Sequence, residues 1–129
     1  MSRRATRILV VEDNPRNLKL VRDVLQFSGY DVFAATTGED GVRMAAELSP
    51  DLILMDLALP GIDGTEALRR IRSEQRCQEV PVVAVTAFAM PADRRTAFES
   101  GFNGYVEKPI SVRGLVQQVQ DVLTLGGVS

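Results

Sequence analysis

Five short apolar runs are spaced along the chain. After each, apolar residues recur at helical intervals, so the pattern alternates between strand and helix. Arg7-Ile-Leu-Val-Val-Glu12 predicts the first strand. Asn14 is a candidate cap and Pro15 suits the first turn of the helix that follows, with Leu18, Val21 and Leu25 inward and Gly29 as its stop. Tyr30 to Ala35 predicts the second strand. Thr37, with Asp40 three residues on, resembles a capping box, and Val42, Ala45, Ala46 and Leu48 give that helix its apolar face before Pro50. The run from Asp51 to Met55 does not alternate with polar residues. It therefore predicts a central strand covered on both faces, ending at Asp56. Pro60, Gly61 and Gly64 interrupt regular structure. Asp63 then caps a helix with Glu66 near its start and Leu68 and Ile71 inward. Val80 to Val85 predicts the fourth strand, ending at Thr86. Pro91 opens a helix over Asp93 to Ser100 that Gly101 closes. A short fifth strand, Gly104-Tyr-Val-Glu107, leads to Lys108-Pro109. Ser111 caps the last helix, with Leu115, Val119, Val122 and Leu123 inward and Gly126-Gly127 as a frayed end.

Five such alternations predict an α/β fold. The expected form is a (βα)5 flavodoxin-like three-layer sandwich, with a parallel five-stranded sheet of order 2-1-3-4-5. The 129 residues suit one domain, with its core at about residues 7–125.

Composition narrows the chemistry. A hydrophobic fraction of 45% argues against disorder, and no apolar run approaches the length of a membrane span. The start is basic but lacks the apolar run of a secretory signal, so a cytoplasmic location is expected. Fifteen basic and seventeen acidic residues are interspersed, for a net charge of −2, which gives no footprint for nucleic acid. Cys77 is the single cysteine and lies in a polar segment, where it reads as a bystander thiol. The chain has no histidine. That excludes histidine metal sites, Ser-His-Asp triads and any role as a phosphohistidine carrier.

In a parallel sheet the carboxyl ends of the strands share one edge, where ligands of open α/β folds bind. Here that edge collects Glu12 and Asp13, Asp56, Thr86 and Lys108. Each alone has an ordinary explanation: a helix-start acid, a turn-forming aspartate, a loop hydroxyl, a solvated lysine. Together they do not, because three close carboxylates repel one another unless a cation joins them. The available ligands are all oxygen, which points to Mg²⁺, or Mn²⁺. Mg²⁺ is commonly held by carboxylates plus a phosphate. Asp56 is placed to carry one, since a carboxylate can attack phosphorus and form an aspartyl phosphate. The Lys108 ammonium would neutralise developing charge, and the Thr86 hydroxyl can donate to a phosphoryl oxygen.

The segments Val10-Val-Glu-Asp-Asn14, Asp51-Leu-Ile-Leu-Met-Asp56-Leu-Ala-Leu-Pro60, Val82-Val-Ala-Val-Thr-Ala87 and Glu107-Lys-Pro109 resemble the motifs of response-regulator receiver domains, the CheY-like superfamily. The segment from Pro81 to Met90, with the later Lys-Pro-Ile-Ser, is most similar to stand-alone receivers of the DivK type. The resemblance implies that Asp56 is the phosphoacceptor. Asp13 matches a direct Mg²⁺ ligand, Glu12 an acid acting through water, and the backbone carbonyl of Ala58 a third protein ligand. Lys108 matches the phosphate-pairing lysine, with a typically cis bond to Pro109. Thr86 matches the switch hydroxyl, and Tyr105 the aromatic that swings between exposed and buried positions. Ala58 and Phe88 match positions that tune phosphoryl lifetime. Both are apolar, so a comparatively long-lived phosphoform is expected.

The implied function is a phosphorelay switch rather than a turnover enzyme. The resemblance implies that it catalyses its own phosphorylation and slow autodephosphorylation. A sensor histidine kinase or phosphotransfer protein is the implied donor. Phosphorylation would bias the surface of the fourth helix, fifth strand and fifth helix toward a downstream protein partner, with Met90-Pro91 and Phe88 on that face. Neither nucleic acid nor membrane is an expected partner, and the chain is expected to be a monomer or weak dimer. Three other readings compete. An Asp-nucleophile phosphatase needs an acid two residues after the nucleophile, where Ala58 stands. An FMN binder needs a Ser/Thr/Gly-rich phosphate loop where Glu12-Asp13 stands. A phosphorylation-independent adaptor has no need of the Asp, Thr and Lys set.

Overall fold

The computed structural model describes residues 5–87 and 90–128, with side chains described as far as Thr124. Strands β1 (Arg7–Val11), β2 (Asp31–Ala35), β3 (Leu52–Asp56), β4 (Val82–Thr86) and β5 (Gly104–Glu107) alternate with helices α1 (Pro15–Phe27), α2 (Gly38–Leu48), α3 (Gly64–Ser73), α4 (Pro91–Glu99) and α5 (Val112–Val128). All strand pairs are parallel, in the order β2-β1-β3-β4-β5. This is the flavodoxin-like fold that the alternation predicts.

Successive strand residues point to opposite faces, and that alternation divides the core in two. Leu9, Val11, Ile53, Met55, Val82, Ala84 and Tyr105 pack with Ala45 of α2, Leu68 and Ile71 of α3, and Ala97 of α4. Ile8, Val10, Leu52, Leu54, Val83, Val85 and Val106 pack with Val21 and Leu25 of α1 and Leu115, Val119 and Val122 of α5. Every residue of β3 and β4 is buried, as strands covered on both sides require.

Side-chain caps fix where the helices begin. Asn14 accepts from the backbone N–H groups of Arg16 and Asn17, Thr37 from Asp40, Asp63 from Glu66, and Ser111 from Gly114. Gly29 follows α1 with φ of +97°, a conformation that favours glycine.

Four details depart from expectation. β4 begins at Val82 rather than Val80. Pro81 has no N–H for the ladder, and the Val80 carbonyl is taken by the Arg72 guanidinium. β3 begins at Leu52 rather than Asp51, whose side chain accepts from the Arg7 backbone N–H, and it ends at Asp56 as expected. Gly126-Gly127 does not fray: α5 runs on to Val128, since glycine weakens a helix without forbidding it and Val122 and Leu123 anchor the preceding turn. Cys77 ends a short 3-10 turn, Gln75–Cys77, and is buried against α2, with its thiol donating to the Ala45 carbonyl at 3.4 Å.

Candidate functional site

The carboxyl edge of the sheet brings Glu12, Asp13, Asp56, Thr86 and Lys108 together. Asp56 is held by two contacts. Oδ1 accepts from the Ala58 backbone N–H at 3.0 Å, and Oδ2 accepts from Lys108 Nζ at 2.9 Å. The same ammonium lies 3.2 Å from Glu12 Oε1. Glu12 Oε2 accepts from the Asn14 backbone N–H at 3.0 Å, so the start of α1 orients this carboxylate as well. Glu12 and Asp56 are only 3% and 2% exposed, while Asp13 is exposed and opens the pocket to solvent.

Oxygens of Glu12, Asp13 and Asp56 lie within 4.8 Å of one another. The electrostatics are those of an acid pocket without enough positive charge. Burial, with a hydrogen bond and like charge from Asp56, pushes Glu12 up to about 7, against the opposing pull of the Asn14 N–H and Lys108. For Lys108, burial acts downward. The hydrogen bond to Asp56 and the charges of Glu12 and Asp56 outweigh it and hold the ammonium above its usual range. A hard divalent ion suits such a donor set: all ligands are oxygen, and one carboxylate is destabilised in its charged form.

Loop geometry keeps the pocket narrow. Gly64 N–H donates to the Leu57 carbonyl, and a Cβ on Gly64 would stand 2.6 Å from the Asp56 carbonyl oxygen. Only glycine lets α3 start this close to Asp56. The sequence marks Gly64 as a breaker, but its contact with the acid's own backbone depends on how the loop folds back. On the far side, the Lys108 N–H donates to the Thr86 carbonyl at 2.8 Å, which ties the lysine to the end of β4.

Residues 8–120 match the response regulator receiver domain family. The chain belongs to it. The polar-differentiation response regulator DivK of Brucella ovis, and that of Brucella abortus, are each 38% identical over 116 residues, covering 90% of this chain and 94% of the relative. A receiver domain of a sensor histidine kinase from Pseudomonas aeruginosa, solved with magnesium coordinated in its active-site cleft, is 36% identical with a TM-score of 0.86, covering 94% of this chain and 99% of that one. The chemotaxis response regulator CheY4 of Vibrio cholerae shares the fold, with a TM-score of 0.88 at 24% identity, over 92% of this chain and 99% of that one.

This receiver domain of two-component signalling carries the remaining expected positions as follows. The Lys108–Pro109 peptide bond is cis. Thr86, the last residue of β4, is buried, and so is Tyr105, at 8% exposure. Both line a cavity of about 160 Å³ together with Leu57, Thr65 and residues of α4. Ala58 is exposed beside Asp56, and Met90 is 67% exposed. Phe88 lies outside the described residues. Among the described residues, no helix is long and apolar enough to cross a membrane. Spacing gave no hint of the contacts around Arg72 and Arg94, which reach residues distant in the chain.

Proposed function

We propose that Asp56 is the phosphoacceptor of a phosphorelay. The observation that carries this reading is the placement of the Lys108 ammonium 2.9 Å from Asp56 Oδ2, in a pocket shared with two further carboxylates. A carboxylate oxygen of Asp56 bonds to phosphorus, and the bond from phosphorus to the donor's histidine nitrogen breaks, with its electron pair returning to the imidazole. The attacking group is a carboxylate, so no proton leaves Asp56 in this step. Lys108 meets the charge on the phosphoryl oxygens, and Thr86 donates its hydroxyl to one of them. Asp13 and Asp56, the Ala58 carbonyl, and Glu12 through water would hold Mg²⁺ or Mn²⁺. Bound there, the ion supplies positive charge against the phosphoryl oxygens.

The chain has no histidine, so its phosphoryl group comes from a histidine outside these 129 residues, on a histidine kinase or phosphotransfer protein. The acyl phosphate carries about −1.5 to −2 of charge where the carboxylate carried a single negative charge. Thr86 moves toward it, Tyr105 follows, and the α4–β5–α5 surface changes its affinity for a downstream protein. The reading further includes a single receiver unit, a cytoplasmic location and a phosphoform kept long-lived by the apolar Ala58.

Acetyl phosphate with Mg²⁺ tests the core of this reading. Intact mass should rise by one phosphoryl group in the wild type and stay unchanged in Asp56→Asn. An unmodified wild type, or equal modification of both proteins, overturns it. Complete loss of the phosphoryl group within seconds would contradict the long lifetime.

A further inference from the structure

Three side chains outside the acid pocket meet on the α4 side of the sheet. Tyr105 and Glu107 are two residues apart on β5 and therefore share a face, while Val106 between them packs with the opposite cluster. Arg94, in the first turn of α4, reaches both. Its guanidinium carbon stands 5.1 Å from the centre of the Tyr105 ring, within cation–π range. Its Nη2 donates to Glu107 Oε1 at 2.9 Å.

The sheet register links this trio to the switch hydroxyl. Thr86 pairs with Glu107 and Ala84 with Tyr105, and Thr86 and Tyr105 border the same cavity. The ion pair alone adds little stability, because Arg94 and Glu107 are both about half exposed. Its effect is one of orientation: Glu107 keeps the guanidinium over the ring. We propose that Arg94 is a positioning residue for Tyr105, holding the ring in its buried place and making α4 and the aromatic move as one body. Its role in signalling rests on the reading of Asp56 as phosphoacceptor; the tether itself does not.

The chain has two tyrosines, so 3-fluorotyrosine labelling gives two fluorine resonances, and Tyr30→Phe assigns them. Broadening by a soluble nitroxide reports the exposure of each in metal-free, unphosphorylated protein. In Arg94→Met, Tyr105 should broaden about two- to fivefold more, as loss of one cation–π contact implies, with Tyr30 unchanged. Arg94→Lys, which keeps a cation, should stay near wild type. Glu107→Gln should shift Tyr105 in the same direction by less, and it carries the test if Arg94→Met does not fold. Unchanged Tyr105 broadening overturns the proposal. So does an equal rise at Tyr30, or Arg94→Lys matching Arg94→Met. Failure of acetyl phosphate to modify Asp56 would instead sink the phosphoacceptor reading and leave the tether standing.

Discussion

The two edges of the sheet handle polar groups in opposite ways. At the amino edge, half-buried and exposed side chains pair donor with acceptor. The Arg72 guanidinium donates to the carbonyls of Cys77, Val80 and Gly101 and to Asn103 Oδ1, which also accepts from the Val82 N–H. Asp51 accepts from the Arg7 N–H, and the Arg7 guanidinium donates to the Leu48 carbonyl. At the carboxyl edge, three carboxylates cluster, and a single ammonium, that of Lys108, pairs with two of them, Glu12 and Asp56. The first edge clamps the starts of β1, β3 and β4 and the turns before them. The second keeps a repulsive cluster that suits a cation and a phosphoryl group. The contrast teaches that similar residue types serve stability where donors match acceptors, and chemistry where they do not.

The largest effect should come from breaking the clamp. Arg72→Ala orphans several carbonyls at once and should lower unfolding stability by about 2–4 kcal/mol, read from urea midpoints. Phosphorylation of the folded fraction should be unaffected. An unchanged midpoint would erase the contrast from the amino side.

Next is the response to metal. Mg²⁺ at about a hundred times its Kd should stabilise the wild type by about 2.7 kcal/mol. Asp13→Asn should be more stable than wild type in chelator and should lose this response. Full retention of the Mg²⁺ shift in the mutant would show that Asp13 is no ligand.

The smallest effect is that of pH. Glu12 is pushed up to about 7, above its unfolded value of 4.5, so the folded state holds its proton longer. Its stabilising contribution is therefore complete below pH 4.5 and is lost as pH rises toward 7. Metal-free protein should lose about 1–3 kcal/mol across that window, and Glu12→Gln should flatten the profile. A profile unchanged by Glu12→Gln would mean that burial does not govern this acid.

Much of this was legible in the chain because it depends on local rules. Caps at Asn14, Thr37, Asp63 and Ser111 need only a side chain and the next turn. Strand order follows from unbroken apolar runs and short connections. Glu12, Asp13, Asp56, Thr86 and Lys108 could be grouped before any coordinates because each closes, or directly follows, a strand. What stayed hidden depends on surfaces meeting. Cys77 sits among Gln75, Arg76 and Gln78, and its neighbours gave no sign that α2 would cover it. Arg72 follows Ile71 on a polar stretch of α3, and its partners lie up to 31 positions away. Arg94 and Tyr105 are joined only because β5 and α4 pack side by side.

Cys77 has a practical consequence. It is the only thiol in the chain, it is 1% exposed, and burial raises its pKa, so reagents should modify it only during excursions from the native state. Labelling kinetics at this one sulfur then time how often the α2 side of the protein breathes, with no probe added.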